Sequence, residues 1–248
     1  ELEDLDRIRG EFVATVSHEL RTPLTSIMGQ VEMLEDETYG ELSTAQVNGL
    51  EVIGRNSDRL LSLIQDLLTL SSIESSKLDL HREPTPVASL MDSVLGQVER
   101  MAAAKSVELT VDCCPGIDIV VLDREQFDRA LLNLLTNAVK FTPAGGTVAL
   151  HARREDANLV VTISDTGVGI PEDEQAGLFT RFFRSSVATR LAIQGTGLGL
   201  VIVKQIVEEH GGTVTIVSAP HAGTTVTVTI PADDTPEGQT GPGLTWNP

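Results

Sequence analysis

Two long stretches of apolar residues at helical spacing constrain this chain more than any other feature. In the first, Leu2, Leu5, Ile8, Phe12, Val16, Leu20, Leu24, Ile27, Val31 and Leu34 fall on one side of a helix. One stripe is therefore buried while the rest meets solvent or a partner. This helix runs to about Glu35, on the order of 50 Å at 1.5 Å per residue. Thr38 to Ser43, containing Tyr39-Gly40, reads as a turn. From about Thr44 a second helix carries Leu50, Ile53, Leu60, Ile64 and Leu67, with Leu61 and Leu68 beside them. That seam is close to a heptad and broader than one partner could bury. The two helices predict an antiparallel hairpin with too little core of its own. Pairing with a second copy into a four-helix bundle is the expected solution.

His18 lies off the apolar stripe of the first helix, at the centre of Phe12-Val-Ala-Thr-Val-Ser-His-Glu-Leu-Arg-Thr-Pro-Leu-Thr-Ser-Ile27. Glu19 follows it, and Thr22 sits at i+4, on the same side as the imidazole. Pro23 removes an amide donor and crowds the carbonyl of Glu19, which predicts a bend within a turn of His18. A possible nucleophile, base, hydroxyl and kink thus fall within six residues. On residue type alone, a single helical histidine is more often a solvated side chain than a chemical one.

The hairpin pattern stops at Ser71 to Pro86, where Ser, Lys, Asp and two prolines replace it. We place the hairpin at 1–75, a linker at 76–85 and a second domain at 86–231. That domain mixes helices, at Val87 to Ala104, Arg124 to about Lys140 and Gly199 to His210, with strands. The strands are Val107 to Val111, Ile117 to Leu122, Thr147 to Arg153, Leu159 to Ser164, Thr213 to Val217 and Thr224 to Ile230. The tail at 232–248, including Trp246, is expected to be disordered. With 248 residues and 41% hydrophobic content the chain has enough apolar surface for both domains. A net charge of −18 argues against nucleic acid or anionic lipid as the main ligand. Adjacent Cys113 and Cys114 form neither an easy disulfide nor a metal pattern, so a reduced, cytoplasmic setting fits best. No apolar run approaches the roughly 20 residues of a membrane span. The helical pattern already runs at the first residues, which predicts that the chain is part of a longer protein.

Three constellations in the second domain can carry chemistry. In Leu131-Leu-Asn-Leu-Leu-Thr-Asn-Ala-Val-Lys-Phe141, the residues Leu131, Leu134, Leu135 and Ala138 form the core face, and Asn133, Asn137 and Lys140 follow the same rhythm beside it. Two amides and an ammonium on one stripe suit a hard cation and phosphate charge, although an ordinary amphipathic helix has the same look. In Ile163-Ser-Asp-Thr-Gly-Val-Gly-Ile-Pro171 a strand ends in the carboxylate of Asp165, followed by Gly167 and Gly169. Such a carboxylate can accept a hydrogen bond from an exocyclic amine, while Asp-Thr-Gly is also a common turn. Gly195-Thr-Gly-Leu-Gly-Leu-Val201 opens a helix with free amides suited to polyphosphate. It lacks the spacing of the dinucleotide fingerprint and the Walker lysine.

The string His18-Glu-Leu-Arg-Thr-Pro-Leu24 resembles the phospho-acceptor box of the sensor histidine kinases of bacterial two-component signalling. The order of asparagine helix, Asp-x-Gly-x-Gly turn and Gly-x-Gly-x-Gly helix start resembles the N, G1 and G2 boxes of the Bergerat-type (GHKL) ATPases. Leu178-Phe-Thr-Arg-Phe-Phe-Arg184 is similar to the F box of the kinases. The resemblance covers roughly residues 8 to 231. It implies an α plus α/β architecture, a dimerising hairpin followed by an α/β sandwich, with ATP and Mg²⁺ as cofactors. Asn137 would be the Mg²⁺ ligand, with Asn133 and Lys140 in support and Phe141 in apolar contact, where the family often has tyrosine. Asp165 would hold the adenine amino group, with Gly167 and Gly169 letting the base sit close. Gly195, Thr196, Gly197, Leu198 and Gly199 would surround the phosphates. Residues 172–194 would form a lid anchored by Phe179, Phe182 and Phe183, with Arg184 approaching the γ-phosphate.

By the same resemblance, His18 attacks the γ-phosphorus with Glu19 as base, and the phosphoryl group passes to an aspartate of a response-regulator receiver domain. Thr22 could orient water against that phospho-aspartate, adding phosphatase activity. His81, His151, His210 and His221 match no motif and are read as structural or solvated. The alternative is a conformational ATPase machine like the chaperone and topoisomerase members. Those ATPases generally place a glutamate one turn before the metal asparagine to activate water, where this chain has Asn133.

Overall fold

The computed structural model describes residues 2–36, 38, 40–75, 80–113 and 119–232; within them, the side chains of 2–15, 17, 18, 58, 59, 67, 69–75 and 113 fall outside the description. The chain divides into two compact units. The first holds α1 (Leu2–Glu35) and α2 (Thr44–Ser75), together with residues 180–183 and 194–202. α1 continues as one helix through Pro23.

The turn between the helices closes with Asp36 N donating to Glu32 O and Thr38 N to Met33 O. α2 then starts on a reciprocal cap. The Ser43 amide and hydroxyl donate to Gln46 Oε1 at 2.9 and 2.8 Å, and Gln46 N reaches back to Ser43 Oγ at 3.4 Å. Ser-x-x-Gln at a helix start satisfies two otherwise orphaned donors in this way. Within the hairpin Leu24, Val31 and Ile64 are buried. Val16, Leu20, Ile27, Met33, Val47, Val52, Ile53 and Leu60 remain exposed, and among the described residues Val16, Leu20, Ile27, Ile53 and Leu60 belong to the predicted stripes.

The second unit is the α/β part, residues 80–179, 184–193 and 203 onward. It opens with β1 (Glu83–Pro86), which pairs antiparallel with β3 (Ile119–Leu122). This strand lies in the stretch assigned to a linker; its two prolines fit because β1 has only one ladder neighbour. The main sheet has the order β2-β4-β5-β7-β6, from β2 (Glu108–Cys113), β4 (Thr147–Glu155), β5 (Asn158–Asp165), β6 (Thr213–Ser218) and β7 (Thr224–Pro231). β2 and β4 run parallel and the other neighbours antiparallel.

One face of the sheet is apolar and buried, through Val148, Leu150, Leu159, Val161, Ile163, Val228 and Ile230. The other is lined by Thr162, Thr225, Thr227 and Thr229, none of them buried. The α3 helix (Val87–Ala104) buries Val87, Leu90, Met91, Val94, Val98 and Ala102 at helical spacing. α4 (Arg124–Phe141) buries Phe127, Ala130, Leu131, Leu134, Leu135, Ala138 and Val139, and packs on α3 and on β4 and β5. Truncating one such leucine to alanine costs about 2–5 kcal/mol. α7 (Gly199–Glu209) adds Val203, Ile206 and Val207 to the core.

Two short helices, α5 (Glu172–Gln175) and α6 (Ser186–Arg190), interrupt the expected lid. Ala232, assigned to the tail, is buried, and its amide donates to Ala157 O at 2.8 Å. The rest of that tail lies outside the described residues, as does Cys114. Among the described residues no helix is long and apolar enough to cross a membrane.

His210 is buried at the end of α7. Its Nε2 accepts from Asp123 N at 3.0 Å and its Nδ1–H donates to Ile206 O at 2.7 Å. These two partners fix a neutral tautomer, since an N–H and a carbonyl cannot both be met by imidazolium donors. The ring also stands edge-on to Phe127, centroids 5.8 Å apart. Burial holds its pKa below 6.5, with the Ile206 carbonyl opposing, the Arg82 charge adding to the fall, and Asp123 and Glu209 opposing it. The unfolded chain therefore takes up this proton first, and stability falls as pH drops below about 6.5, by at most about 1.4 kcal/mol per pH unit. Urea unfolding of wild type and His210→Gln at pH 7.5 and 5.5 checks this: the wild type should lose more stability than the variant.

Candidate functional site

In the first unit His18, Glu19 and Thr22 lie on two successive turns of α1, upstream of Pro23. Glu19 and Thr22 are exposed; the His18 side chain lies outside the described residues. The same unit contains the glycine loop. Gly197 has φ +74°, and a Cβ there would stand 2.7 Å from the Phe182 carbonyl carbon and 2.8 Å from Phe183 O. Its carbonyl accepts from Phe182 N at 3.0 Å, so the loop rests on the backbone of the F-box residues. At Gly195, by contrast, a Cβ would meet nothing within 4 Å.

Thr196 Oγ1 accepts from Leu198 N at 3.1 Å and donates to the buried Asp66 of α2 at 2.9 Å. Asp66 was not legible as a site neighbour, since on a seam of leucines it reads as an ordinary polar position. Leu198 is buried, and α7 begins at Gly199. Phe182 is 64% exposed at φ +61°. It is therefore not one of the lid's anchors, and the one-dimensional pattern of the F box could not say which of its rings turns outward.

In the second unit α4 carries Asn133 and Asn137, partly exposed, one turn apart, with exposed Lys140 next on the same stripe. Its last turn is held by Lys105, whose ammonium donates to Val139 O at 2.9 Å and to Lys140 O. Burial lowers the Lys105 pKa, while its charge complements the helix C-terminus. Sequence reasoning missed Lys105, because a lysine after a helix carries no local mark of the carbonyls it will meet 34 residues on.

Asp165 ends β5. Its Oδ1 accepts from Gly167 N at 2.8 Å and from Thr224 N at 3.2 Å. Oδ2 takes no hydrogen bond among the described residues. Burial raises the Asp165 pKa, and the two N–H donors oppose that rise.

Each glycine of this turn answers to protein atoms. A Cβ at Gly167 would lie 2.6 Å from Asp165 Oδ1 and from Phe141 O, and one at Gly169 (φ +68°) only 1.9 Å from Ala219 O. The Phe141 carbonyl accepts from Val168 N at 3.2 Å, which sets the turn against the end of α4. Gly223 (φ +80°), overlooked in the sequence, brings the β6–β7 turn so close that a Cβ would stand 1.8 Å from Asp165 O. Glycine is required at Gly169 and Gly223 by the protein's own backbone.

Arg184 is exposed, and its Nη2 donates to Ile193 O at 2.6 Å. Glu174 receives the Ser186 amide at 3.0 and 3.2 Å. The Lys204 ammonium stands 5.7 Å from the centre of the Phe179 ring. Among the described residues no group of three or more His, Cys, Asp or Glu is placed to hold a metal ion. The side chains of Asn133 and Asn137 on α4 carry amide oxygens, which are hard donors.

Comparison with known proteins adds two family matches, in chain order. Residues 8–76 match the His Kinase A (phospho-acceptor) domain, and residues 122–234 match the histidine kinase-, DNA gyrase B-, and HSP90-like ATPase family. The circadian input-output histidine kinase CikA of Synechococcus elongatus is 41% identical over 225 residues, which are 90% of this chain and 30% of that protein. Full-length ShkA, solved in complex with AMPPNP, superposes with a TM-score of 0.72 at 29% identity, over 89% of this chain and 45% of that one. The mycobacterial sensor histidine kinase MprB superposes at 0.53 with 34% identity, over 60% of this chain and 97% of that one. This chain spans only 24% to 44% of the length of the curated relatives it matches. With an acceptor hairpin and an ATPase sheet following one another over 8–76 and 122–234, the chain belongs to the sensor histidine kinases.

Proposed function

We propose that this chain is the catalytic core of a protein histidine kinase that phosphorylates its own His18 from Mg·ATP and passes the phosphoryl group to a receiver-domain aspartate of a response regulator. The observation that carries this reading is the coexistence, in one chain, of the acceptor string at His18-Glu19 and the Asp165 carboxylate that keeps one oxygen clear of its own turn. Either feature without the other would serve a different protein.

The Asp165 backbone donors both occupy Oδ1, which leaves Oδ2 to accept the exocyclic amine of adenine. Asn137, seconded by Asn133, would hold Mg²⁺ through its amide oxygen, and the cation would neutralise phosphate charge when bound. Lys140 and the amides of Gly195, Thr196, Gly197, Leu198 and Gly199 would meet the phosphates. Gly167, Gly169, Phe141 and Phe182 would border the base. Arg184 reaches transferring phosphate only by leaving Ile193 O.

In the transfer step one ring nitrogen of His18 bonds to the γ-phosphorus as its bond to the β,γ-bridging oxygen breaks, and ADP leaves with that oxygen. Glu19 takes the proton from the other ring nitrogen. With Asn133 where the hydrolytic relatives generally have glutamate, water has no comparable base. That favours transfer over the ATPase-machine reading.

The exposed apolar residues of the hairpin support a homodimer, in which a second copy covers them as a four-helix bundle. An upstream sensor domain, and a cytoplasmic setting with or without a membrane anchor, complete the proposal.

Three measurements test it. Incubation with γ-labelled ATP should give an acid-labile, alkali-stable label on the wild type and none on His18→Gln; label surviving in the variant would reject His18 as acceptor. Thr22→Ala should keep autophosphorylation within about twofold and lose dephosphorylation of the phospho-regulator by tenfold or so; parallel loss of both would remove Thr22 from the phosphatase role. Finally, burial lets Asp165 take up its proton at a higher pH than an exposed carboxylate. A protonated acid accepts the adenine amine poorly, so affinity for a fluorescent ATP analogue should fall as pH is lowered from 7.5 to 5. Asp165→Asn should bind about tenfold or more weakly at pH 7.5 and show a flatter profile.

A further inference from the structure

The chain running from the hairpin enters the second unit at Leu80, and the next three residues are each tied down by a different device. His81 N donates to Asp123 Oδ2 at 3.0 Å, Arg82 Nη2 donates to Glu209 O at 2.8 Å, and Glu83 starts the β1 ladder opposite Leu122. The same few groups hold the ends of two helices. Asp123 Oδ1 caps α4 by accepting from Gln126 N at 3.0 Å, and its own amide donates to His210 Nε2 at 3.0 Å. His210 in turn is tied to Ile206 O, in the last turn of α7. One buried carboxylate and one buried imidazole therefore join the entering chain, the start of the helix that carries Asn137 and the end of the helix that begins at Gly199.

We propose that Arg82, Asp123 and His210 form an anchor that fixes where and in which direction the tether to the phospho-acceptor hairpin leaves the nucleotide-binding unit. They are thereby positioning residues for phosphoryl transfer to His18. The proposal rests on the kinase reading above and extends it to residues that touch neither nucleotide nor acceptor. Asn137 lies fourteen positions along α4 from Asp123, about 21 Å at 1.5 Å per residue, too far for the anchor to contact bound nucleotide. Its effect must pass through geometry instead. An acceptor carried on a tether reacts at a rate set by its local concentration and angle of approach, and a displacement on the order of 1 Å can cost up to about a hundredfold.

Arg82 is the informative position, because its side chain is exposed and its loss leaves no buried group unpaired. In the full chain, Arg82→Ala should lower the autophosphorylation rate at saturating ATP by about tenfold, while the dissociation constant for a fluorescent ATP analogue stays within twofold or so of wild type. Arg82→Lys, which keeps a cation at the carbonyl end of α7, should recover most of the rate. His210→Phe, which removes the acceptor for Asp123 N, should show the same split between rate and affinity. An Arg82→Ala rate within twofold of wild type, or a rate and an affinity that fall together, would overturn the anchor while leaving the kinase reading standing. Wild type that binds no nucleotide, or takes no label on His18, would overturn both.

Discussion

The polar stripe of α4 in the second unit hangs on the burial of the helix's apolar face. Phe127, Leu131, Leu134, Leu135 and Ala138 are pressed into the core, and because a helix turns through a fixed angle per residue, that burial fixes where Asn133 and Asn137 point. The helix cannot rotate to present a different stripe without bringing amides into the apolar interior. Its two ends are held separately: Asp123 caps the first turn, and Lys105 meets the last carbonyls. The polar stripe is thus positioned by groups that are not part of it.

The hairpin shows the opposite condition. Leu24, Val31 and Ile64 are buried, yet Leu20, Ile27, Val52, Ile53 and Leu60 stand about half exposed. Two helices packed side by side can cover only the strip between them, and the broad seam of α2 leaves the remainder uncovered. Among the described residues the hairpin therefore keeps apolar side chains open to solvent, whereas the α/β unit buries a core of its own.

Much of this was legible in the residues. α3 runs Val87–Ala104 and the second hairpin helix starts at Thr44, as their patterns predict. The face of α4 that its leucines mark is the buried one. β1 was not legible, because two prolines in four residues argue against a strand until its place beside β3 alone is known. Phe182 could not be told from Phe183 by composition, although one is exposed and the other partly covered. His210 carried no motif, yet it became the join between α7 and the start of α4.

What the sequence determined by itself is whatever has a short period: helices, strands, and the stripe or face on which each candidate residue sits. Neighbours at i+3, i+4 or i+2 are enforced by backbone geometry alone. Only the tertiary structure decided which distant groups meet. The Asp123 amide and the His210 ring are 87 residues apart, and the Thr224 amide and the Asp165 carboxylate 59. Such a bond leaves no trace in either local stretch, because a buried donor needs an acceptor but does not specify where in the chain it comes from.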